Sequence, residues 1–283
     1  MNFFVASIRC YFMNYVDFHT HIFPDKIAKQ AMDSLAAESG DYRPCTDGTL
    51  HGLLDSMKRA GISASLVANI ATRPAQMFPV LEFCKQIKSD VIHPLISFHP
   101  SNDTEEVENM FGEAHRAGIR GVKLHPMYQN FFIDDKYMYG FYELMASFGF
   151  FVMFHTGVDM AFPGNNQADV ERIRKVADWF KDLTIICTHV GGWKQWDRIS
   201  CLSTCENVHT ETSMTLSEIS DDEFIRALSH FDEDRVLFGT DSPWTDQKEM
   251  LDRTLRLNLS DSRKEKMMWK NAVKLLGLKP EKI

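Results

Sequence analysis

Two histidines two residues apart, His19 and His21, end the stretch Val16-Asp17-Phe18-His19-Thr20-His21. A neutral imidazole offers a nitrogen lone pair to a metal ion near pH 7, and two of them on one face make half of a metal site. Val16-Asp17-Phe18 has the composition of a short strand. Alternation along a strand predicts that His19 and His21 point the same way, with Asp17 beneath them. A His-x-His in a loop is the simpler reading of this motif taken alone. Four later stretches shift that balance. Gly121-Val122-Lys123-Leu124-His125-Pro126 puts Lys123 and His125 two apart, and Phe154-His155 ends another apolar run. Thr188-His189-Val190-Gly191-Gly192 and Gly239-Thr240-Asp241-Ser242-Pro243 do the same with His189 and Asp241. Imidazole nitrogens and a carboxylate oxygen suit zinc or a similar divalent ion. Three or four protein ligands with one position open make a catalytic site, where the metal lowers the pKa of bound water towards about 7. Asp241 can bind such an ion through one oxygen and accept a proton through the other, so it is the candidate general base.

Elements that alternate along the chain must bring these residues together. Apolar, β-forming runs at 16–18, 65–70, 91–98, 119–124, 150–154, 183–188, 208–212 and 235–239 predict strands, with Pro94 weakening the third. Helices are predicted at 25–37, 49–60, 74–88, about 104–117, 134–148, 168–181 and 217–229, with closing helices at 245–258 and 261–276. Gly61 suits the end of the second, and Asn102-Asp103-Thr104-Glu105 suits the start of the fourth. A shorter helical stretch follows Gly191-Gly192. About eight strand–helix alternations, with strands apolar on both faces, predict an α/β fold: a single-domain (β/α)8 TIM barrel. An open doubly wound sheet is the alternative, but no Gly-x-Gly-x-x-Gly loop follows the first strand. In a barrel the carboxyl ends of the strands form the active-site mouth, which is where the polar residues above fall.

The 283 residues, 44% of them hydrophobic, suffice for one such domain. The formal charge of −8, from 31 basic and 39 acidic residues, provides no broad basic surface for nucleic acid. No apolar run is long enough to span a membrane. The six cysteines, Cys10, Cys45, Cys84, Cys187, Cys201 and Cys205, read as structural thiols of a reducing compartment, with the cytoplasm expected. Cys201 and Cys205 are spaced for one face of a helix. Met13 is an alternative start, which would make residues 1–12 an N-terminal extension and residues 13–283 the barrel domain.

The chain resembles the amidohydrolase superfamily of metal-dependent barrel enzymes, in the amidohydrolase 2 branch that includes aminocarboxymuconate-semialdehyde decarboxylase. The resemblance rests on Asp17-Phe18-His19-Thr20-His21, Gly121-Val122-Lys123-Leu124-His125-Pro126, Phe154-His155-Thr156-Gly157, Thr188-His189-Val190-Gly191-Gly192 and Phe238-Gly239-Thr240-Asp241-Ser242-Pro243. It implies that His19, His21, His155 and Asp241 bind the metal. It also implies that His189 binds a second ion or polarises the substrate. Some branches bridge two ions with a carbamylated lysine at the position of Lys123. The competing reading is a charged Lys123 paired with an acidic substrate or with Asp17.

His125 and Arg73 are further candidate substrate contacts, Arg73 because guanidinium grips a carboxylate bidentately. His99, Trp193, Trp196 and Trp244 follow strand ends and could reach the mouth or pack in the core. His51, His93, His115, His209 and His230 have no ligand context. The function expected is hydrolysis, with metal-bound hydroxide, activated by Asp241, attacking an amide, ester or lactone carbonyl. His189 and the metal would stabilise the oxyanion. The alternative is a non-oxidative decarboxylase or hydratase acting on a small carboxylic acid. A metal-binding protein without turnover is the rival of a different class. One Zn2+ is expected, a second ion is left open, and the partner is a small molecule bearing a carboxylate or carbonyl. Self-association into a homo-oligomer is also left open.

Overall fold

The computed structural model describes residues 14–279. Residues 1–12, Met13 and Cys10 lie outside the described residues. Eight parallel strands alternate with helices: β1 Tyr15–Thr20, β2 Ile62–Ala68, β3 Ile92–Leu95, β4 Gly121–Leu124, β5 Phe151–Phe154, β6 Ile185–Cys187, β7 Val208–Glu211 and β8 Val236–Leu237. The helices are α1 Asp25–Glu38, α2 Leu50–Ala60, α3 Met77–Ile87, α4 Thr104–Arg116, α5 Tyr139–Ser147 and α6 Val170–Trp179. They continue with α7 Thr215–Glu218, α8 Asp221–Leu228, α9 Gln247–Arg256, α10 Asp261–Glu265 and α11 Asn271–Leu276. Ladders join β1-β2-β3 and β4 through β8 in chain order. Backbone bonds cross both seams. Lys123 N donates to Ile96 O (2.8 Å), and Phe18 N donates to Phe238 O (2.7 Å). Asp241 N donates to His19 O (2.7 Å). The fold is therefore the (β/α)8 barrel expected from the alternation.

Strand alternation divides the core in two. Val16, Phe18, Leu66, Phe151, Met153 and Ile186 form one cluster, which α11 closes with Ala272 and Leu276. These are the inward residues of the strands. Their neighbours, such as Val67, Val122, Val152 and Ile185, pack outward on the helices. Gly121 is needed here, because a Cβ would lie 2.5 Å from the Phe151 ring. Burying each large apolar side chain contributes about 1.5–3 kcal/mol, the gain that holds the cylinder together.

Local signals set most helix ends. Thr49 caps α2 by accepting from Gly52 N, and Gly61 ends it with φ 75°. Asp103 caps α4 through Glu105 N and Glu106 N. Pro94 sits inside β3, paired with Val67, so the weak strand holds. The helix expected at 217–229 is broken into α7 and α8, because Ser220 and Glu223 form a capping box that starts a new helix. The closing helix contains one π-helical turn at Lys266–Lys270. Cys201 lies in a 3-10 turn, Ile199–Leu202, and Cys205 lies beyond it, so the two do not share a helix face. Cys45, Cys84, Cys187, Cys201 and Cys205 are all unpaired thiols. No described helix is long and apolar enough to cross a membrane.

The expectation for Asp17 is corrected. β1 shifts register against β2 between Asp17 and Thr20, which breaks the period-two count. Asp17 lies between inward Val16 and Phe18. It accepts from Thr240 N (3.0 Å), Thr240 Oγ1 (2.6 Å) and, from α9, Gln247 Nε2 (2.7 Å). It also accepts from the His19 backbone N (3.2 Å) and braces β1 against β8, with no contact to either imidazole ring among the described residues.

Candidate metal centre

At the carboxyl end of the barrel, His19 and His21 from β1 meet Asp241 from the segment after β8. His19 Nε2 is 3.1 Å from His21 Nε2. Asp241 Oδ1 is 3.1 Å from His21 Nε2 and 3.6 Å from His19 Nε2. The outer nitrogens decide where the ring protons go. His19 Nδ1 donates to Glu211 Oε1 (2.9 Å), a carboxylate that can only accept. His21 Nδ1 donates to Ala68 O (2.7 Å). With both protons on Nδ1, each neutral ring turns a bare Nε2 lone pair inward. Burial pushes His19 well below the ordinary imidazole value, so it stays neutral. The carboxyl of Asp241 lies well below the ordinary carboxylate range although burial opposes its charge. Asp241 Oδ1 is buried and has no hydrogen-bond partner among the described residues. Three electron pairs thus converge at spacings that a tetrahedral ion with bonds of about 2.0–2.2 Å would produce. The donors fit a divalent cation.

Glu211, at the end of β7, organises this corner. It also accepts from Ser213 N (2.6 Å), Ser213 Oγ (2.7 Å) and His189 N (3.1 Å). Gly239 leaves room for it, since a Cβ there would lie 2.2 Å from Glu211 Oε2. His189 Nδ1 faces Ser213 Oγ at 2.9 Å, and its ring centre is 5.7 Å from that of His19. His189 has φ 59°, Val190 52°, Met214 56° and Asp241 63°. All four are non-glycine residues in the left-handed region, where such residues are rare.

Lys123 is 1% exposed, and its Nζ lies 3.4 Å from His19 Nε2. Burial pulls its pKa down to about 8, against the opposing pull of Asp241, Glu211 and Asp159. It faces these three acids and not Asp17, which corrects the pairing considered above.

The remaining candidates separate. His155 does not join His19, His21 and Asp241. Its Nε2 donates to Val158 O (3.2 Å), and its ring stacks on His125 with centres 4.3 Å apart. Its Nδ1 is 3.3 Å from His189 Nε2. His125 belongs to a second cluster with His155 and Asp159. The Tyr128 amide donates to His125 Nδ1 (3.5 Å), leaving the ring proton on Nε2, 3.2 Å from Asp159 Oδ2. Arg73 is exposed, precedes a short 3-10 turn and lies outside the residues that line the cavity. His99 also lies outside the cavity lining, whereas Trp193 and Trp244 line it. Trp196 Nε1 donates to His189 O (2.9 Å).

Sequence reasoning missed Glu211 and Asp159. Glu211 obeys the same strand-end pattern as the others, on a strand too short and polar to attract notice. Asp159 lies in a loop and is marked only by its spacing of four from His155.

The cavity over this centre measures about 430 Å³. Comparison with known proteins agrees with the geometry. The amidohydrolase family model matches residues 16–278. No curated protein matches. Among solved structures, an uncharacterised TIM-barrel protein from Bordetella bronchiseptica is 23% identical, with TM-score 0.77 over 93% of this chain and 98% of that one. The 5-carboxyvanillate decarboxylase from Novosphingobium aromaticivorans, with bound manganese, is 11% identical, with TM-score 0.73 over 94% and 97%. The 2,6-dihydroxybenzoate decarboxylase from Rhizobium is 15% identical, with TM-score 0.66 over 94% and 99%. At these identities the structures speak for the fold, and the family match carries the assignment: the chain belongs to the amidohydrolase family of metal-dependent enzymes.

Proposed function

We propose that the protein is a metal-dependent decarboxylase of small carboxylic acids, with His19, His21 and Asp241 as the ligands of one divalent ion. The observation that carries this reading is the convergence of three lone pairs at the floor of a largely apolar cavity. The named decarboxylases that share the fold support the reaction type over hydrolysis. A bound ion would neutralise and orient the substrate carboxylate; zinc and manganese both suit two imidazoles and a carboxylate. The protein's own groups do the rest. Glu211 fixes the tautomer of His19. Apolar walls keep water from the acid group, which favours spreading its charge into the departing fragment. His189, with Nδ1 held by Ser213 and Nε2 3.3 Å from His155 Nδ1, lines the cavity as the group that would contact the reacting substrate. Lys123 lies beside His19 as the cationic contact for the acid. Residues 13–283 would form one catalytic domain.

Hydrolysis of an amide, ester or lactone is the second reading. It is favoured by the ionised carboxyl of Asp241, which is ready to accept a proton. A panel of aromatic and aliphatic acids, esters and lactones, incubated with metal-loaded protein, separates the two. Carbon dioxide release from acids is the expected result. Ester or lactone cleavage without carbon dioxide release would replace the first reading by the second. No turnover on any member would leave a binding protein.

A further inference from the structure

Helix α1 carries Ile27, Ala31 and Leu35 at i, i+4 and i+8, a single stripe, and all three line the cavity. The adjacent stripe, Ala28 and Met32, is the buried one that seats α1 on the barrel. Asp25, Lys26, Lys29 and Asp33 are exposed. The helix therefore has two apolar stripes, one packed on protein and one facing space. Across that space the wall after β2 presents Ile70, Val80 and Phe83. Ile27 and Met160, both lining residues, remain 48% and 37% exposed.

Polar groups that line the cavity already have partners within the protein. Asn69 Nδ2 donates to Leu95 O (3.1 Å). Thr72 Oγ1 donates to Gln76 Oε1 (3.0 Å), and Tyr128 OH donates to Glu38 (3.1 Å). Among the described lining residues, Lys123 at the floor is the one lysine or arginine, while Glu38, Asp159 and Asp241 are acidic. A second anionic group on a ligand would meet no cation in the outer cavity, and the charges of Glu38 and Asp159 would oppose it.

We propose that the site takes monocarboxylic acids with a hydrocarbon body, aryl or alkyl, seated between α1 and the wall after β2, and that it discriminates against diacids. The proposal rests on the reading of the floor as an acid-binding metal centre and adds what fills the space above it. The acid group reaches the floor beside Lys123. The body lies along Ile27, Ala31 and Leu35, where each buried methylene should tighten binding by about fourfold.

Calorimetry on the manganese-loaded protein tests this with benzoate, 4-alkylbenzoates of increasing chain length, and terephthalate. Affinity should rise roughly fourfold per methylene over the first members and then level off as the cavity fills. Terephthalate should bind at least about tenfold more weakly than 4-methylbenzoate. The variant Ala31→Arg should reverse that order. Benzoate binding with no dependence on chain length, or terephthalate binding as well as 4-methylbenzoate, would overturn the proposal while leaving the metal centre intact. If no acid binds at all, the floor reading falls and the proposal falls with it. Carbon dioxide is not measured in this series, so a failure of decarboxylation does not affect it.

Discussion

Two clusters of identical composition, two histidines and one aspartate, lie within the same cavity and handle their protons in opposite ways. In His19, His21 and Asp241 the outer nitrogens hold the protons, and three lone pairs face one another. In His125, His155 and Asp159 each Nε2 proton already has an acceptor, Asp159 for His125 and Val158 O for His155. In the first, three acceptor pairs face one another beside Lys123 Nζ; in the second, both Nε2 protons already have acceptors and His155 Nδ1 faces His189 Nε2. Both groups have ligand-type residues within reach of one another, and they differ in where their ring protons go. What the far side of each ring donates to decides the matter.

The contrast can be broken most decisively by metal analysis after exhaustive dialysis. Wild-type protein should retain one ion per chain and Asp159→Asn should do the same, while His19→Ala loses it and with it turnover, by about a thousandfold or more. Two ions in the wild type and one in Asp159→Asn would make the second cluster a metal site as well. A smaller effect is expected one bond further out. Glu211→Gln should weaken metal affinity roughly 10–100-fold, measured by competition with a chelator, because His19 loses the partner that sets its tautomer. In the second cluster Asp159→Asn should instead cost stability, about 1–3 kcal/mol by urea unfolding, with metal affinity preserved.

Acid should sharpen the difference by a smaller margin. Metal binding requires neutral imidazoles, and burial keeps His19 neutral well below the ordinary imidazole value, so affinity at the first cluster should fall only once pH is well below about 6.5. Burial pushes Asp159 up, but His125 and His155 hold its carboxyl well below the ordinary value. A depressed folded pKa contributes stability that is present above the unfolded value near about 3.9 and is lost only as pH falls through the lower folded value. Urea unfolding of wild type against Asp159→Asn should therefore show a constant difference between pH 7 and 5, which shrinks below about pH 4.

The barrel was legible because its strands are apolar on both faces and its helices carry their own caps, as at Thr49, Gly61 and Asp103. Much of the site was legible for the same reason, since His19, His21, His189 and Asp241 each follow an apolar run. Glu211 escaped because β7, Val-His-Thr-Glu, is half polar and reads as a weak strand. Asp159 escaped because its loop is shaped by tertiary contact. Gly157 has φ 86°, and a Cβ there would lie 2.3 Å from the Trp193 backbone nitrogen, an approach no local pattern announces. Asp17 was misplaced because strand counting presumes an unbroken ladder, and β1 slips. Arg73 was chosen for its chemistry alone, and it lies outside the cavity lining.

The left-handed run at His189, Val190, Met214 and Asp241 has a consequence for heat. Each such residue costs on the order of 1–2 kcal/mol, and branched Val190 is the least suited of the four. That tension sits at the rim, while the staves below carry none of it among the described strands. Warming would loosen the rim first, so the molecule would drop its ion while still a barrel, and inactivation would precede melting.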